Sequence, residues 1–414
     1  MRISTQSFYE QSQKAMGSQQ TNLLRVQQQM GAMTKILSPS DDPISATRAL
    51  AVSQSLALNS QYEASRSMAM QSLSLEESAL QSVTTVLQDI KVLVIQAGNG
   101  SLTDADRGAI ASAMESSLNQ LQGLANTDDG NGQYLFAGFK SSTPPFAKQA
   151  DGSMLYTGDQ GQRLMQVDVS RQMAATDDGR SIFQTVQGGA GYVTAAPMNV
   201  DGTPQNQGTG VFSSNAVIDP TAANFGKDFR ISFPTTGTYE VTIAPPTVPA
   251  TPPVSSGSYT QGASITFAGL QMSISGAPAA GDSFSVSTAK NAGADVFGAI
   301  SDIIKAVRNP IDADGTGTGR ANLLNALSTA NRKMTNAHDN VLTVRASIGS
   351  RLQELDALNT TGSNRVLLDK SHLSELQDLD YASAIAEFYQ RQTALEATQK
   401  VFVKIQGLSL FNYL

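Results

Sequence analysis

The chain has 414 residues, 40% of them hydrophobic but only 6% aromatic, with no Trp; that is enough for two or three domains and a sizeable core, built from long helical packing rather than one aromatic-rich globule. The absence of Cys excludes disulfides and thiolate metal sites. A net charge of −7, without clustered Lys and Arg, argues against nucleic acid as a partner.

The opening stretch MRISTQSFYEQSQKAM carries one early Arg and no apolar run, so it does not read as a secretory signal peptide. No segment reaches the roughly 18 consecutive apolar residues of a membrane span, and no membrane insertion is expected. The first predicted element is a Gln-rich helix whose apolar row Tyr9, Met16, Leu23, Met30 and Leu37 recurs every seven residues, with Val26 and Met33 beside it. The stretch KILSPSDDPISATRAL then carries a stop and a start. Pro39 cannot continue a helix and biases Ser38 away from helical geometry; Asp42 can cap a new helix, and Pro43 fits its first position. The first helix is therefore expected to end near Leu37 and the second to begin near Pro43.

No Pro occurs between Ile44 and Thr143, and Leu73, Leu80, Leu87 and Val94, with Val83 and Ile90, continue the seven-residue pattern. A helix from Pro43 to Ala97 would span roughly 80 Å, which suits a rod-like bundle. Gly98 and Gly100 close it, and Thr103 with Asp106 at capping-box spacing opens a third helix bearing Ile110, Met114, Leu121 and Leu124. DDGNG at 128–132 ends that helix in a turn.

The middle of the chain changes period. Met165, Val167 and Val169 alternate, as do Phe229, Ile231 and Phe233, then Tyr239, Val241 and Ile243, then Phe284 and Val286, the pattern of strands. Parity switches around Ala268 and Gly269, which predicts a tight hairpin or a bulge. Beyond Pro310 there is no further Pro. The row Leu327, Met334, Val341, Ile348 and Leu355, with Ala330, Ala337, Val344 and Leu358, predicts another long helix. A last helix is expected over about Ser371 to Gln406, with Phe388, Leu395 and Phe402 on one row. The fold class is thus α+β: a long coiled-coil helical bundle built from both chain ends, with an inserted β-rich middle.

Chemistry-bearing constellations are scarce. His338 and His372 are the only histidines; the first reads as a helix-surface or interface residue beside Ala337, the second as a residue near a helix start. DADG at 312–315 lacks the remaining ligands of a calcium loop, and GGAG at 188–191 follows no clear strand and opens no helix, so no phosphate site is read there. Asp128, Asp129, Asp177 and Asp178 lie in turn sequences. No catalytic, metal or cofactor residue is assigned, and no enzyme is expected.

The stretches MRISTQSFYEQSQKAM, LSPSDDPISATRALAVSQ, QYLFAGFKSSTPPF and DLDYASAIAEFYQRQTALEATQKVFVKIQGLSLFNYL together resemble the flagellin family of bacterial flagellar axial proteins. The resemblance covers roughly residues 1–145 and 290–414. It implies three parts: a terminal coiled-coil assembly domain (1–40 with 371–414), a helical rod domain with a β portion (41–189 with 289–370), and an inserted outer β domain (190–288). Subunit contacts are expected on Tyr9, Met16, Leu23, Met30, Leu37, Ile385, Phe388, Leu395, Phe402 and Leu408. An interdomain joint is expected at Ser38, Pro39, Asp42 and Pro43. The resemblance further implies a structural role joining hook to filament and an extracellular location reached by type III export without a cleaved signal. Its expected partners are other copies in a ring, the first hook-associated protein, flagellin, and an export chaperone on the C-terminal helix. The alternatives are a divergent flagellin that forms the filament, and a secreted binding module on a helical stalk, which clustered exposed aromatics among Phe225, Phe229, Phe233, Tyr239 and Tyr259 would favour.

Overall fold

The computed structural model describes residues 5–149, 152–199, 203–245, 252–311 and 315–406. Helices α1 (Thr5–Ala32), α2 (Pro43–Ala97) and α3 (Asp104–Ala125) are followed by the strands β1 (Phe146–Lys148), β2 (Met154–Tyr156), β3 (Leu164–Asp168) and β4 (Arg171–Ala174) and the short helix α4 (Gly179–Phe183). Strands β5 (Val193–Ala195), β6 (Val211–Phe212), β7 (Ala216–Val217), β8 (Asp228–Ser232) and β9 (Thr238–Ala244) come next. Then follow β10 (Ser255–Ser258), β11 (Ser264–Phe267), β12 (Leu270–Ser275) and β13 (Ser283–Ser287). Helices α5 (Val296–Arg308), α6 (Thr318–Gln377) and α7 (Tyr381–Gln406) complete the order, so that helices from both ends flank a β-rich middle. The chain divides into two compact units, residues 1–64 with 357–414 and residues 65–356.

In the unit of residues 65–356 the heptad rows form the core. Leu73, Leu80, Val83, Leu87, Ile90 and Val94 of α2 are buried, as are Leu327, Met334, Val341, Ile348 and Leu355 of α6. Helix α2 contains a stretch long and apolar enough to cross a membrane by length and composition alone; its buried row gives that hydropathy a destination inside the protein. Helix α3 starts where its capping box predicts: the Asp106 amide donates to Thr103 Oγ1 at 3.2 Å, and the Thr103 amide donates to Asp106 Oδ2 at 3.0 Å. It packs against α5, and Met114, Leu118 and Leu121 are buried there with Ile300, Ile303 and Val307.

Much of the QYLFAGFKSSTPPF stretch is core. Phe136 and Phe146 each stack edge-on against Phe183, at 5.7 and 5.4 Å between ring centres, and Phe297 closes the group 5.0 Å from Phe146. Beside them the Tyr156 hydroxyl donates to the carbonyls of Phe136 and Asp159, at 3.0 and 2.7 Å. Burial raises its pKa to about 12.

Among the described residues β1 pairs with β2 and β3 with β4, while β5 to β13 form two larger antiparallel sheets. One has five strands in the order β10-β9-β8-β13-β5; the other runs β11-β12-β6, with β7 also beside β12. Between them lies one core of Phe212, Phe229, Ile231, Phe233, Val241, Ile265, Phe267, Leu270, Met272, Ile274, Phe284 and Val286. Ring contacts such as Phe229–Phe267 at 5.2 Å join the two sheets. Phe229 and Phe233 are fully buried, and Phe225, Tyr239 and Tyr259 are partly buried against the same core, so none of the aromatics that would favour a binding module is fully exposed. Val169 departs from its expected alternation: the β3–β4 pairing shifts register between Gln166 and Asp168, and Val169 falls in the exposed turn that follows.

The parity switch near Ala268 is a two-residue hairpin turn. Phe267 pairs with Leu270, and Ala268 and Gly269 both have positive φ, 45° and 76°, as the tight primed turns require. A methyl group on Gly269 would overlap the Asp219 carbonyl oxygen. Gly269→Ala is expected to cost at least about 1–2 kcal/mol from backbone strain and to speed amide exchange in β11 and β12 while leaving α2 unaffected; unchanged exchange in both strands would contradict this reading of the turn.

Candidate assembly face and helical joint

The unit of residues 1–64 with 357–414 is built on α1 packed against α7. On α1, Val26 is buried while Met16, Leu23 and Met30 are half-buried; on α7, Ala384 is buried while Phe388, Leu395 and Phe402 are half-buried. These expected contact residues are thus partly covered within the chain itself. Tyr9 lies on α1, where only the backbone is described, and Leu408 lies outside the described residues.

A second set of apolar side chains on α7 has no such cover: Tyr381, Ile385, Tyr389 and Val403 are exposed, as is Leu24 on α1. At 3.6 residues per turn the four α7 residues fall within about 80° of arc, a stripe beside the half-buried row rather than on it. Ile385, expected with the heptad residues, belongs to this stripe. Sequence periodicity alone cannot separate two adjacent apolar stripes, which is why Tyr381, Tyr389 and Val403 were not singled out.

The joint begins earlier than the sequence suggests. Helix α1 ends at Ala32, not near Leu37. Met33 adopts a left-handed φ of 59°, which ends the helix without help from Pro39. From there the backbone pairs with the other end of the chain: the Leu379 amide donates to the Met33 carbonyl at 3.2 Å, the Lys35 amide donates to the Gln377 carbonyl at 2.9 Å, and Thr34 and Asp378 form a β-bridge. Leu37 is therefore off the heptad row, in an exposed loop. The expected single helix over Ser371 to Gln406 is likewise two, with α6 ending at Gln377 and α7 starting at Tyr381. Asp380 caps α7, its Oδ1 accepting from the Ala382 amide at 3.0 Å and its Oδ2 from the Ser383 hydroxyl at 2.7 Å. Both helical paths are interrupted at one level.

On the far side the expected start is found. Asp42 Oδ1 accepts from the amides of Ile44 and Ser45, at 3.2 and 3.0 Å, and Pro43 is the first residue of α2. Ser38 and Pro39 lie in the loop, which is fastened by a residue not singled out from sequence. Asp41 Oδ2 accepts from the amides of Leu37 and Ser38, each at 3.0 Å, and its Oδ1 pairs with Arg25 of α1 at 2.9 Å. Tyr381 adds a clamp from α7, its hydroxyl donating to the Met30 carbonyl at 3.0 Å.

These bonds hold the joint's carboxyls in their charged form. Asp41 is held below the usual carboxylate range chiefly by the Ser38 amide, and Asp42 by its bonds from Ser45. A depressed folded-state pKa stabilises the joint above the ordinary carboxylate pKa, and that stabilisation is lost as pH falls through the depressed value. Asp42→Ala is expected to speed amide exchange of Ile44 and Ser45 at neutral pH, whereas Asp42→Asn, which keeps an acceptor oxygen, changes it far less; equal rates in both variants would remove the cap from the account.

Comparison with known proteins agrees with this architecture. The family description "Bacterial flagellin N-terminal helical region" matches residues 3–141, a span that takes in α1, the loop to α2, α2 and α3. The Flagellar hook-associated protein 3 of Salmonella typhimurium is 30% identical over 412 residues, covering 100% of this chain and 99% of that protein, and its Escherichia coli namesake is 31% identical over the same length. The chain belongs to the flagellar hook-associated protein 3 family. Among solved structures, FlgL of Xanthomonas campestris is 30% identical with a TM-score of 0.67, covering 78% of this chain and 99% of that one. The flagellar junction protein FlgL of Legionella pneumophila is 26% identical with a TM-score of 0.66, covering 80% and 100%.

Proposed function

We propose that this chain is the structural subunit that joins the flagellar hook to the flagellin filament, meeting the first hook-associated protein on one side and flagellin on the other, with further copies beside it in a ring. The observation that carries this reading is the end-to-end match to hook-associated protein 3, which includes both terminal helices and the β middle. In this reading the half-buried row Met16, Leu23, Met30, Phe388, Leu395 and Phe402 holds α1 to α7. The stripe of Tyr381, Ile385, Tyr389 and Val403 supplies the contact with neighbouring subunits, because an exposed apolar stripe marks an interaction surface.

The role is structural, not catalytic, and the site of action is outside the cell. The chain reaches it by type III export, and a chaperone covers the C-terminal helix beforehand. The two sheets that share one core suit the 190–288 segment to an outer domain on the helical rod. Antibody labelling of isolated flagella in the electron microscope tests the proposal: a narrow band where hook meets filament is expected. Label along the whole filament would make the chain a flagellin, and unlabelled flagella would overturn the flagellar role.

A further inference from the structure

Five ionisable side chains meet inside the unit of residues 65–356, three carboxyls against two guanidiniums. Glu77 of α2 accepts two bonds at Oε1 from Arg345 of α6, at 3.0 and 2.7 Å. Asp177, between β4 and α4, pairs through Oδ2 with Arg351 of α6, and Arg351 Nη1 also donates to the Ala174 carbonyl at 3.0 Å. Each guanidinium therefore has its own carboxylate. The third carboxyl, Glu76, has no cation of its own and is completely buried. Its Oε1 accepts from the Asp177 amide at 3.3 Å, and its Oε2 meets no donor among the described residues. Gln162, which donates to Asp177, and Thr84, which accepts from Arg345, add only neutral contacts.

A buried carboxylate with one long hydrogen bond and a like charge beside it is strongly disfavoured against its neutral acid. We infer that Glu76 is carried in the folded protein as a neutral carboxylic acid at neutral pH, so that folding of this unit takes up one proton from solvent at the Glu76 carboxylate. Burial first, then the Asp177 charge, pushes the Glu76 carboxyl well above the carboxylate range, against the pull of Arg351. A carboxyl raised on folding contributes stability that is full below its unfolded pKa and is lost as pH rises through the folded one. Between those two values the folding constant falls by up to about tenfold per pH unit, the slope of one proton.

Selective carbon-13 labelling of the Glu carboxyls in the full chain reads the proton directly, followed from about pH 4 to pH 9 across the ordinary carboxylate range. One resonance is expected to stay in the protonated position at neutral pH, to be missing in Glu76→Gln, and to titrate at lower pH in Asp177→Asn. The Asp177→Asn arm keeps the assignment decidable if Glu76→Gln folds poorly. A full set of Glu resonances already ionised at neutral pH overturns the inference, as does a high-titrating resonance that persists unchanged in folded Glu76→Gln.

Discussion

Arg351→Met is expected to destabilise the unit of residues 65–356 by about 1–3 kcal/mol, the cost of leaving the part-buried Asp177 carboxylate without its partner. The substitution keeps most of the apolar stem, so the loss comes from the guanidinium. Arg351 pairs with Asp177 and holds the Ala174 carbonyl, and without it the Asp177 carboxylate is left beside the buried Glu76 with no cation partner. Adding Asp177→Asn removes the stranded charge, so the double variant is expected to recover a substantial part of the loss, a coupling that independent sites do not show. Urea unfolding followed by circular dichroism checks this. A cost under about 1 kcal/mol for Arg351→Met, in the range of an exposed ion pair, would mean that the cluster is wet and that Arg351 does not hold it.

The second large effect concerns assembly rather than folding. Tyr389 and Val403 are 63% and 66% exposed, so Tyr389→Asp with Val403→Asp is expected to leave the helical content and thermal unfolding of the free protein within about 0.5 kcal/mol of the parent, as surface substitutions usually do. In a cell lacking the native protein, the same pair is expected to abolish filament attachment and hence motility, because two carboxylates would have to be buried at a subunit contact. Leu395→Asp and Phe402→Asp provide the contrast: they strike the half-buried row, and should loosen α7 from α1 in the free protein as well as block assembly. Normal filaments from the Tyr389 and Val403 double variant would remove the exposed stripe from the assembly face.

How far the sequence was legible depends on the distance over which each feature is decided. The start of α2 is local, a capping Asp followed by Pro at the first helical position, and it falls on Pro43 as expected. The heptad rows of α2 and α6 are also local, and their residues form the core. The end of α1 is not: Gly31 lies within its last turn, but the left-handed residue is Met33, and there residues 33–35 bond to 377–379, far away in sequence. The same pairing ends α6 at a stretch, QDLD, that contains no helix breaker. The charge cluster was hidden for a similar reason, since Asp177 meets partners 101 and 174 residues away. Read alone, its sequence is that of an ordinary turn, and only the folded chain shows that it bridges α2 and α6.

The paired interruption at the joint has a mechanical meaning. A helical pair broken in one strand resists bending, because the intact strand must be deformed; a pair broken in both strands at the same height has its compliance concentrated there. The backbone bonds from Met33 and Lys35 to residues 377–379 lie across that height and act as short tethers that keep the ends together while the direction changes. Bending at this level would spare the hydrogen-bond ladders of α1 and α7, and with them the packing of one helix on the other.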